Sequence, residues 1–523
     1  MKKNLILIVL FAAILRTTAQ NGTLDLSFNS TGIINSSDET ANGITTDKNN
    51  KVMVIGHDRE SSTLNIFVKR YLTNGNLDNS FGTNGRLNID LNDDYDYGRC
   101  IKALDNGKYL ISGQNSVGPY FRPFVARITS DGIIDSTFGT DGICLLSAPL
   151  DNSDAWAFEV SPSGSIYAAG YITTNWVTQS IIWKVNPNGT INSAFGNNGS
   201  VVINVNTNAE RLLDIAMNDT GKMIVGVGTS YNGSYNSATI VMLDTNGNMN
   251  TNFNASGYLK YRYNTSETRL YGVSIADKQL VFAGNYINDS SYNTHAIVCA
   301  FLFNGALNSS FGNAGIWTDS VNTNSSFTEI LKDCKDNFFL GGYVSQNSNV
   351  QFRVGKITSK GLMDANFGNN GYFSRRINNN YDEVIEAMAF SSDSAIVVCG
   401  RINSGDLLTT SGIMKLKVNG CSKQNSDGSF IAQTLIEKSI YVIYPNPLKS
   451  GMPLYFKANS NEVQLNELTF QIISYDGKAL FSPIKLEDQN ANILPDSTYL
   501  AKGIYQLIIR SATSVQVQSF VVE

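Results

Sequence analysis

Histidine is almost absent from this chain, with only His57 and His295 among 523 residues. A histidine-dependent triad or a zinc centre of several imidazoles is therefore not expected. No H-E-x-x-H, G-x-S-x-G or phosphate-cradling glycine loop occurs either. Cysteine is scarce, and Cys100, Cys144, Cys299, Cys334, Cys399 and Cys421 include no C-x-x-C spacing. In a chain long enough to bury a large core they read as buried free thiols rather than as a disulfide framework. Runs of basic residues are also missing. Lys2, Lys3 and Arg16 are three of the 39 bases and no acid precedes position 20, so the remainder carries 36 bases against 44 acids. That balance disfavours nucleic acid and anionic lipid as partners.

Long apolar runs are confined to the start. Leu5 to Leu15 follows Lys2 and Lys3 and precedes the small residues Thr17 and Ala19, the pattern of a secretory signal peptide over residues 1–19. No later stretch approaches the roughly 18 apolar residues needed to cross a bilayer, so no transmembrane span is expected in the mature chain.

What the chain has in abundance is repetition. An eleven-residue phrase, roughly G-x-L-D-x-S-F-G-x-N-G, begins at Gly22, Gly75, Gly132, Gly189, Gly247, Gly305 and Gly361, at intervals of 53, 57, 57, 58, 58 and 56 residues. Short apolar runs ending at Gly56, Gly113, Gly170, Gly228, Gly284, Gly342 and Gly400 keep the same period and read as strands. A second run, such as FVKRYLTNG ending at Gly75, leads into each later phrase and reads as an outer strand with one wet face. Two further strand-like stretches fit in each unit, for example RLNIDL from Arg86 and GRCIKAL from Gly98. The fold class is therefore all-β: a seven-bladed β-propeller of four-stranded antiparallel blades over residues 20–421.

Within the phrase, Phe28, Phe81, Phe138, Phe195, Phe253, Phe311 and Phe367 are expected to plug the gaps between blades. The Asx residue three positions earlier suits an Asx-turn. Closing pairs such as Asn84-Gly85 suit a turn with positive φ, and departures in the fifth and sixth copies, at Asn254, Ser256 and Ala314, put the turn geometry there in question. The first phrase has no strand before it and the last strand has no phrase after it, so residues from Asn21 to Phe28 are expected to close the ring against the last blade.

The L-D-x-S-F-G-x-x-G phrase at this spacing resembles the delta-60 repeat family of bacterial β-propellers, a resemblance that covers Gly22 to about Cys421 and implies a shape more than a chemistry. Residues 422–438 read as a linker. Residues 439–523 combine Tyr444, Pro445, Asn446 and Pro447, then Tyr475, Asp476, Gly477 and Lys478, then Gly503 and Tyr505. That order of motifs resembles the type IX secretion C-terminal sorting domain of Bacteroidota. The resemblance implies a small β-sandwich read by the outer-membrane translocon as partner, and a product that is extracellular or attached to the cell surface.

Catalytic chemistry is hard to find. Paired carboxylates could meet in a central funnel, and Asp93, Asp94, Asp96, Asp151, Asp154, Asp382 and Glu383 are candidates in loops, though solvated loop acids explain them as well. Calcium has one invitation, the three carboxylates of Asp131, Asp135 and Asp141, but other copies place Asn, Lys or Ala there, so no cofactor is expected. Loop aromatics, namely Tyr120, Phe121, Trp176, Tyr231, Tyr235, Tyr286, Tyr292 and Trp317, suit a surface that stacks on sugar rings or meets a protein. The function expected is a secreted binding or adhesion module for glycan or protein. The alternatives are a polysaccharide-acting hydrolase or lyase and a structural part of the cell surface or motility apparatus.

Overall fold

The computed structural model describes residues 21–418, apart from 61–62, 92–94, 118–119, 147–151, 175–176, 206–208, 289–291, 323, 347–348, 379–380, 392–393 and 404–408, and in the C-terminal segment the strands named below with a few flanking residues. The chain divides into two units at 432/433. In the first unit a four-stranded antiparallel pattern recurs. It is built from Glu39–Thr46, Val52–Glu60, Thr63–Tyr71 and Arg86–Ile89, and again from Asp96–Ala103, Tyr109–Val117, Tyr120–Ile128 and Ile143–Leu145. The same order continues from Asn152–Val160 to Ser200–Ile203, from Ala209–Met217 to Tyr258–Tyr261, from Glu267–Ala276 to Ile316–Thr318 and from Ser325–Lys332 to Tyr372–Arg375. Asp382–Ser391, Ala395–Asn403 and Thr409–Lys417 begin one more sheet, which the chain's own beginning completes.

That completion is the closure expected from the offset phrases. Ile33–Ser36 pairs antiparallel with Thr409–Lys417, and Thr23–Leu24 extends the same edge. First strands pack side by side in sequence order, and the last packs against the first. Each hydrophobic cluster spans two consecutive sheets, and the one holding Phe28, Val54, Phe67 and Val397 joins the last sheet to the first. The seven phrase phenylalanines are at most 1% exposed, each in one of these clusters, where burying a ring contributes about 1.5–3 kcal/mol.

The run leading into each phrase is not the outer strand. It is the third strand, largely buried, as in Thr63–Tyr71. The outer strand follows the phrase and holds only three or four residues, such as Arg86–Ile89, too few to display an alternation.

The phrase is a loop between third and fourth strands. Its Asx side chain accepts the N–H two residues on, as in Asp78 from Ser80 at 3.1 Å and Asn250 from Asn252 at 3.1 Å. The turn has two forms. The second and sixth copies hold positive φ at Gly82, Asn84 and Gly85 and at Gly312, Ala314 and Gly315. The first and fifth have Asn after the phenylalanine, and positive φ moves to Asn29 and Ser30 and to Asn254 and Ala255. A Cβ at Gly82 would stand 2.2 Å from the Arg86 carbonyl oxygen, so a side chain at that position requires the other turn. The sixth copy thus keeps the common geometry while the fifth does not.

Cys100, Cys144, Cys299 and Cys399 are free thiols, but Cys334 is disulfide-bonded, which corrects the free-thiol reading for that residue; Cys421 lies outside the described residues. In the second unit Tyr441–Tyr444, Leu454–Ala458 and Asn492–Leu494 form one antiparallel sheet. Ile484–Lys485, Thr469–Ser474, Gly503–Arg510 and Val515–Val522 form another. Tyr505 is buried there. Pro445 to Pro447 and Tyr475 to Lys478 lie outside the described residues.

Candidate functional site

Each first strand carries a β-bulge at the same place. The extra residues are Asn42, Arg99, Trp156, Leu213, Tyr271, Thr328 and Glu386. Opposite each bulge stands the glycine that ends the second-strand run. At Gly170 an added Cβ would lie 1.8 Å from the Asp154 carbonyl oxygen, and the other six glycines meet the same obstacle within 2.1 Å. The recurring glycine therefore exists because the bulged strand folds its backbone over it.

The bulged side chains line one cavity of about 1400 Å³, enclosed by the ring of first strands. They differ chemically from sheet to sheet, although the backbone that presents them repeats. Trp156, Leu213 and Tyr271 come from three consecutive sheets and line the cavity together. The Arg99 guanidinium lies 4.6 Å from the Trp156 ring and 5.3 Å from Tyr97. Its Nε and Nη2 donate to Asp154 Oδ2 at 3.1 and 2.8 Å. Trp156 Nε1–H is buried without an acceptor among the described residues. Tyr271 Oη accepts from Asn285, which also donates to Ser326 Oγ at 2.9 Å. Asn42 donates to the Gly98 carbonyl of the next sheet at 2.7 Å and contacts His57 Nδ1. Burial and then the Arg99 charge push His57 down to about 3, so it is neutral.

One residue beyond the bulge the ring reads Gly43, Cys100, Ala157, Asp214, Gly272, Glu329 and Ala387, two acids among small residues. Asp214 accepts from Ile215 N at 2.7 Å and, across to the next sheet, from Val273 N at 2.8 Å. Glu329 Oε1 accepts from Ile330 N at 3.0 Å. Enclosure by protein raises both carboxyls, Asp214 to about 6 and Glu329 well above its ordinary value, and the charge of Asp214 adds to the rise at Glu329. Nearby, Lys102 pairs with Glu159 at 2.5 Å and Arg401 with Glu386 at 2.9 Å.

The acids proposed from sequence sit elsewhere. Asp96 and Glu383 are at the start of first strands rather than in loops, and both are fully buried. Asp96 accepts from Leu91 N, and Glu383 from Ile377 N and Asn378 N. Glu210 and Thr268 at the equivalent place also accept a loop N–H, and Ser325 accepts the N–H of Ala296 in the third strand of the preceding sheet, so the position ties the start of these first strands to neighbouring backbone. Asp154 holds Arg99, and Asp382 accepts from Val350 N at the channel rim. Asp93, Asp94, Asp151 and Trp176 lie outside the described residues. Asp135 is engaged by Lys108 and Arg127, both at 2.6 Å, an arrangement unsuited to calcium.

Of the aromatics, Tyr292 is 83% and Tyr231 41% exposed. Trp317 packs on Phe327 in a core cluster, Tyr286 stacks on His295, Phe121 meets Tyr97 edge-on, and Tyr235 carries the Arg262 guanidinium at 3.6 Å. Tyr120 is half-buried. The channel residues escaped sequence reading, although each bulge lies 13 to 15 residues before its glycine, a count that would have found them.

Two family models match the chain. A domain of unknown function (DUF5122) beta-propeller matches residues 48–81, 104–138 and 161–195, and a secretion system C-terminal sorting domain matches 442–523. The chain carries DUF5122 propeller repeats and a type IX sorting tail. The tail marks the DUF5122 repeats for secretion and attachment to the cell surface. Among the described residues no helix is long and apolar enough to cross a membrane. No curated protein matches the chain. Solved structures similar to it include the beta-propeller domain of the Trilobed protease from Pyrococcus furiosus, with 8% identity, 76% of this chain and 99% of that chain covered, and a TM-score of 0.39. Sqt1 from Chaetomium thermophilum has 8% identity, coverage of 74% and 84%, and a TM-score of 0.37. Polysaccharide lyase Uly1 has 9% identity, coverage of 71% and 89%, and a TM-score of 0.38.

Proposed function

We propose that residues 20–421 form a seven-bladed β-propeller displayed outside the cell as a binding module, with the central channel as its ligand site and the β-sandwich of residues 439–523 as its export signal. The observation that carries this reading is the set of seven bulges. One repeated backbone device delivers seven different side chains, aromatic, aliphatic, amide, hydroxyl, cationic and acidic, into a single cavity. A purely structural ring would not need that diversity, whereas recognition does.

One observation favours a second reading, a polysaccharide hydrolase or lyase: the raised Asp214 and Glu329 carboxyls share the channel, and acid catalysis uses such groups. Incubating the mature chain with arrayed polysaccharides and glycoproteins, while scoring retention and product release together, separates the two. Retention without product is the expected result. Product release that is lost on Glu329→Gln would replace the binding module with the enzyme.

A further inference from the structure

The chain has six cysteines, and Cys334 alone among the five described is not a free thiol. Cys100, Cys144, Cys299 and Cys399 stand in strands and are free, which leaves Cys421, outside the described residues, as the remaining partner for Cys334. Cys334 lies half-buried in the turn between the first strand Ser325–Lys332 and the second strand Phe338–Gln346. Asp333 fixes that turn independently of any sulfur bond, its Oδ1 accepting from Lys335 N and Asn337 N, both at 2.8 Å. The same turn position in other sheets holds Lys48, Asp105, Pro162 and Asp219, so the cysteine is particular to this sheet. What distinguishes the sheet is its neighbour, the last one, whose third strand Thr409–Lys417 leads out of the ring. Val418 N donates to the Ser394 carbonyl at 2.8 Å, in the corresponding turn of that last sheet. The Val418 side chain shares a hydrophobic cluster with Leu331 and Phe339, which stand on either side of the Cys334 turn. Cys421 is three residues further on, a reach of about 10 Å in extended chain, so the chain is long enough to bring the second thiol to the turn that holds the first.

The place of this bond gives it a role. Both segments that close the ring, Thr23–Leu24 and Ile33–Ser36, pair with Thr409–Lys417. Beyond that strand the chain runs on to the tail that marks it for attachment to the cell surface. A pull through the tail would therefore peel the strand on which closure depends, whereas a covalent bond at 421 passes the load to the Asp333 turn. We propose that Cys334 and Cys421 form a redox-sensitive clasp, which fixes the end of the ring-closing strand and locks the propeller once the chain has left the cytoplasm. One cysteine thiolate attacks an external disulfide and displaces a thiolate from it; the second cysteine then attacks the mixed disulfide and displaces the other. Two electrons pass to the external disulfide, which departs as two thiols carrying the two protons. Such oxidants persist outside the cytoplasm and not within it. The clasp concerns closure of the ring and is independent of what the channel binds.

The pairing is tested by a non-reducing digest of the mature full-length chain read by mass spectrometry, with thiols counted after denaturation. A peptide pair joining 334 to 421 and four free thiols are expected, rising to six on reduction. Six thiols in the secreted protein, or Cys421 joined to a second chain, would overturn the proposal. The role is read by melting and by limited proteolysis, with and without a thiol reductant. Reduction of the native protein should lower Tm by about 5 °C and open Thr409–Lys417 to cutting roughly tenfold faster. Cys334→Ser and Cys421→Ser should each match the reduced native protein and should not respond to reductant. If either variant fails to fold, the comparison of oxidised with reduced native protein decides alone. A 334–421 bond whose reduction changes neither Tm nor the cutting rate would sink the clasp.

Discussion

The backbone N–H of Gly368 donates to the carbonyl of Asn21 at 2.9 Å. This bond joins the seventh phrase to the residue just before the first. The same bond links every other pair of successive phrases, Asn29 to Asn74, Gly82 to Asp131, Gly139 to Asn188, Gly196 to Asn246, Asn254 to Asn304 and Gly312 to Lys360, all between 2.7 and 3.0 Å. The hydrogen bonds therefore run in a circuit that returns to its start, and residues near position 21 are as structural as any in the interior. A chain beginning at residue 37 would lose that link, Phe28 and the outer strand Ile33–Ser36. It is expected to melt well below the mature protein and to be cut readily by protease within the last sheet. An unchanged melting temperature would mean the circuit adds nothing.

Asp78 shows how charge was matched to the phrase. Its carboxylate accepts from Arg70 Nε at 2.8 Å and Lys51 Nζ at 2.6 Å, and these bonds, with those from Ser80, outweigh burial and hold it well below the usual carboxylate range. Where the phrase has Asn192, Asn250 or Asn308, the residue aligned with Arg70 is Lys184, Met242 or Ala300. Asp78→Asn alone leaves Arg70 buried without its counter-charge and should cost about 3–5 kcal/mol. Adding Arg70→Met should recover most of that loss, and denaturant titration of the two variants measures the difference.

Acid should act through the same groups. Asp25, Asp78 and Asp135 have folded-state values below those of an unfolded chain. Their stabilisation is complete above the ordinary carboxylate value, about 4, and declines as pH falls toward the folded values. Thermal melts across that acid range should show stability falling with pH, and less steeply in a variant carrying Asp78→Asn and Arg70→Met.

Asp214 and Glu329 carry the opposite sign. Their raised values mean that the folded chain holds the protons more tightly than the unfolded one, so the stabilisation present at low pH is lost as pH rises through the folded value, about 6 for Asp214. Asp214→Asn should therefore raise stability at neutral pH by about 1–3 kcal/mol and by much less near pH 4. A gain independent of pH would contradict the enclosure of this carboxyl.

Ala314 occupies left-handed backbone at φ 51°, where four other copies place Asn or Asp. Ala314→Gly or Ala314→Asn should stabilise the protein by about 0.5–1 kcal/mol, read as a rise in Tm. No rise would show that the turn gives no preference to either residue.

The phrase, its phenylalanines and the ring closure were legible because each rests on local chemistry repeated at a fixed period. The order of strands within a sheet was less so, because an outer strand as short as Ile143–Leu145 leaves no pattern to read. Asp96 and Glu383 resemble loop acids in sequence since Asn-rich loops precede them, yet burial turns them into anchors for those loops. The channel was hidden for a different reason. A bulge changes register without changing composition, so Trp156, Asp214 and Glu329 read as ordinary strand residues until the glycine opposite each bulge fixes the count.

The most direct test is to fill the channel. Ala157→Trp and Ala387→Trp place indoles at two small positions that line it, in chains whose Tm confirms folding. Each should abolish retention on every arrayed ligand that the native protein retains. Retention that survives both plugs would place recognition on the outer faces and contradict the account.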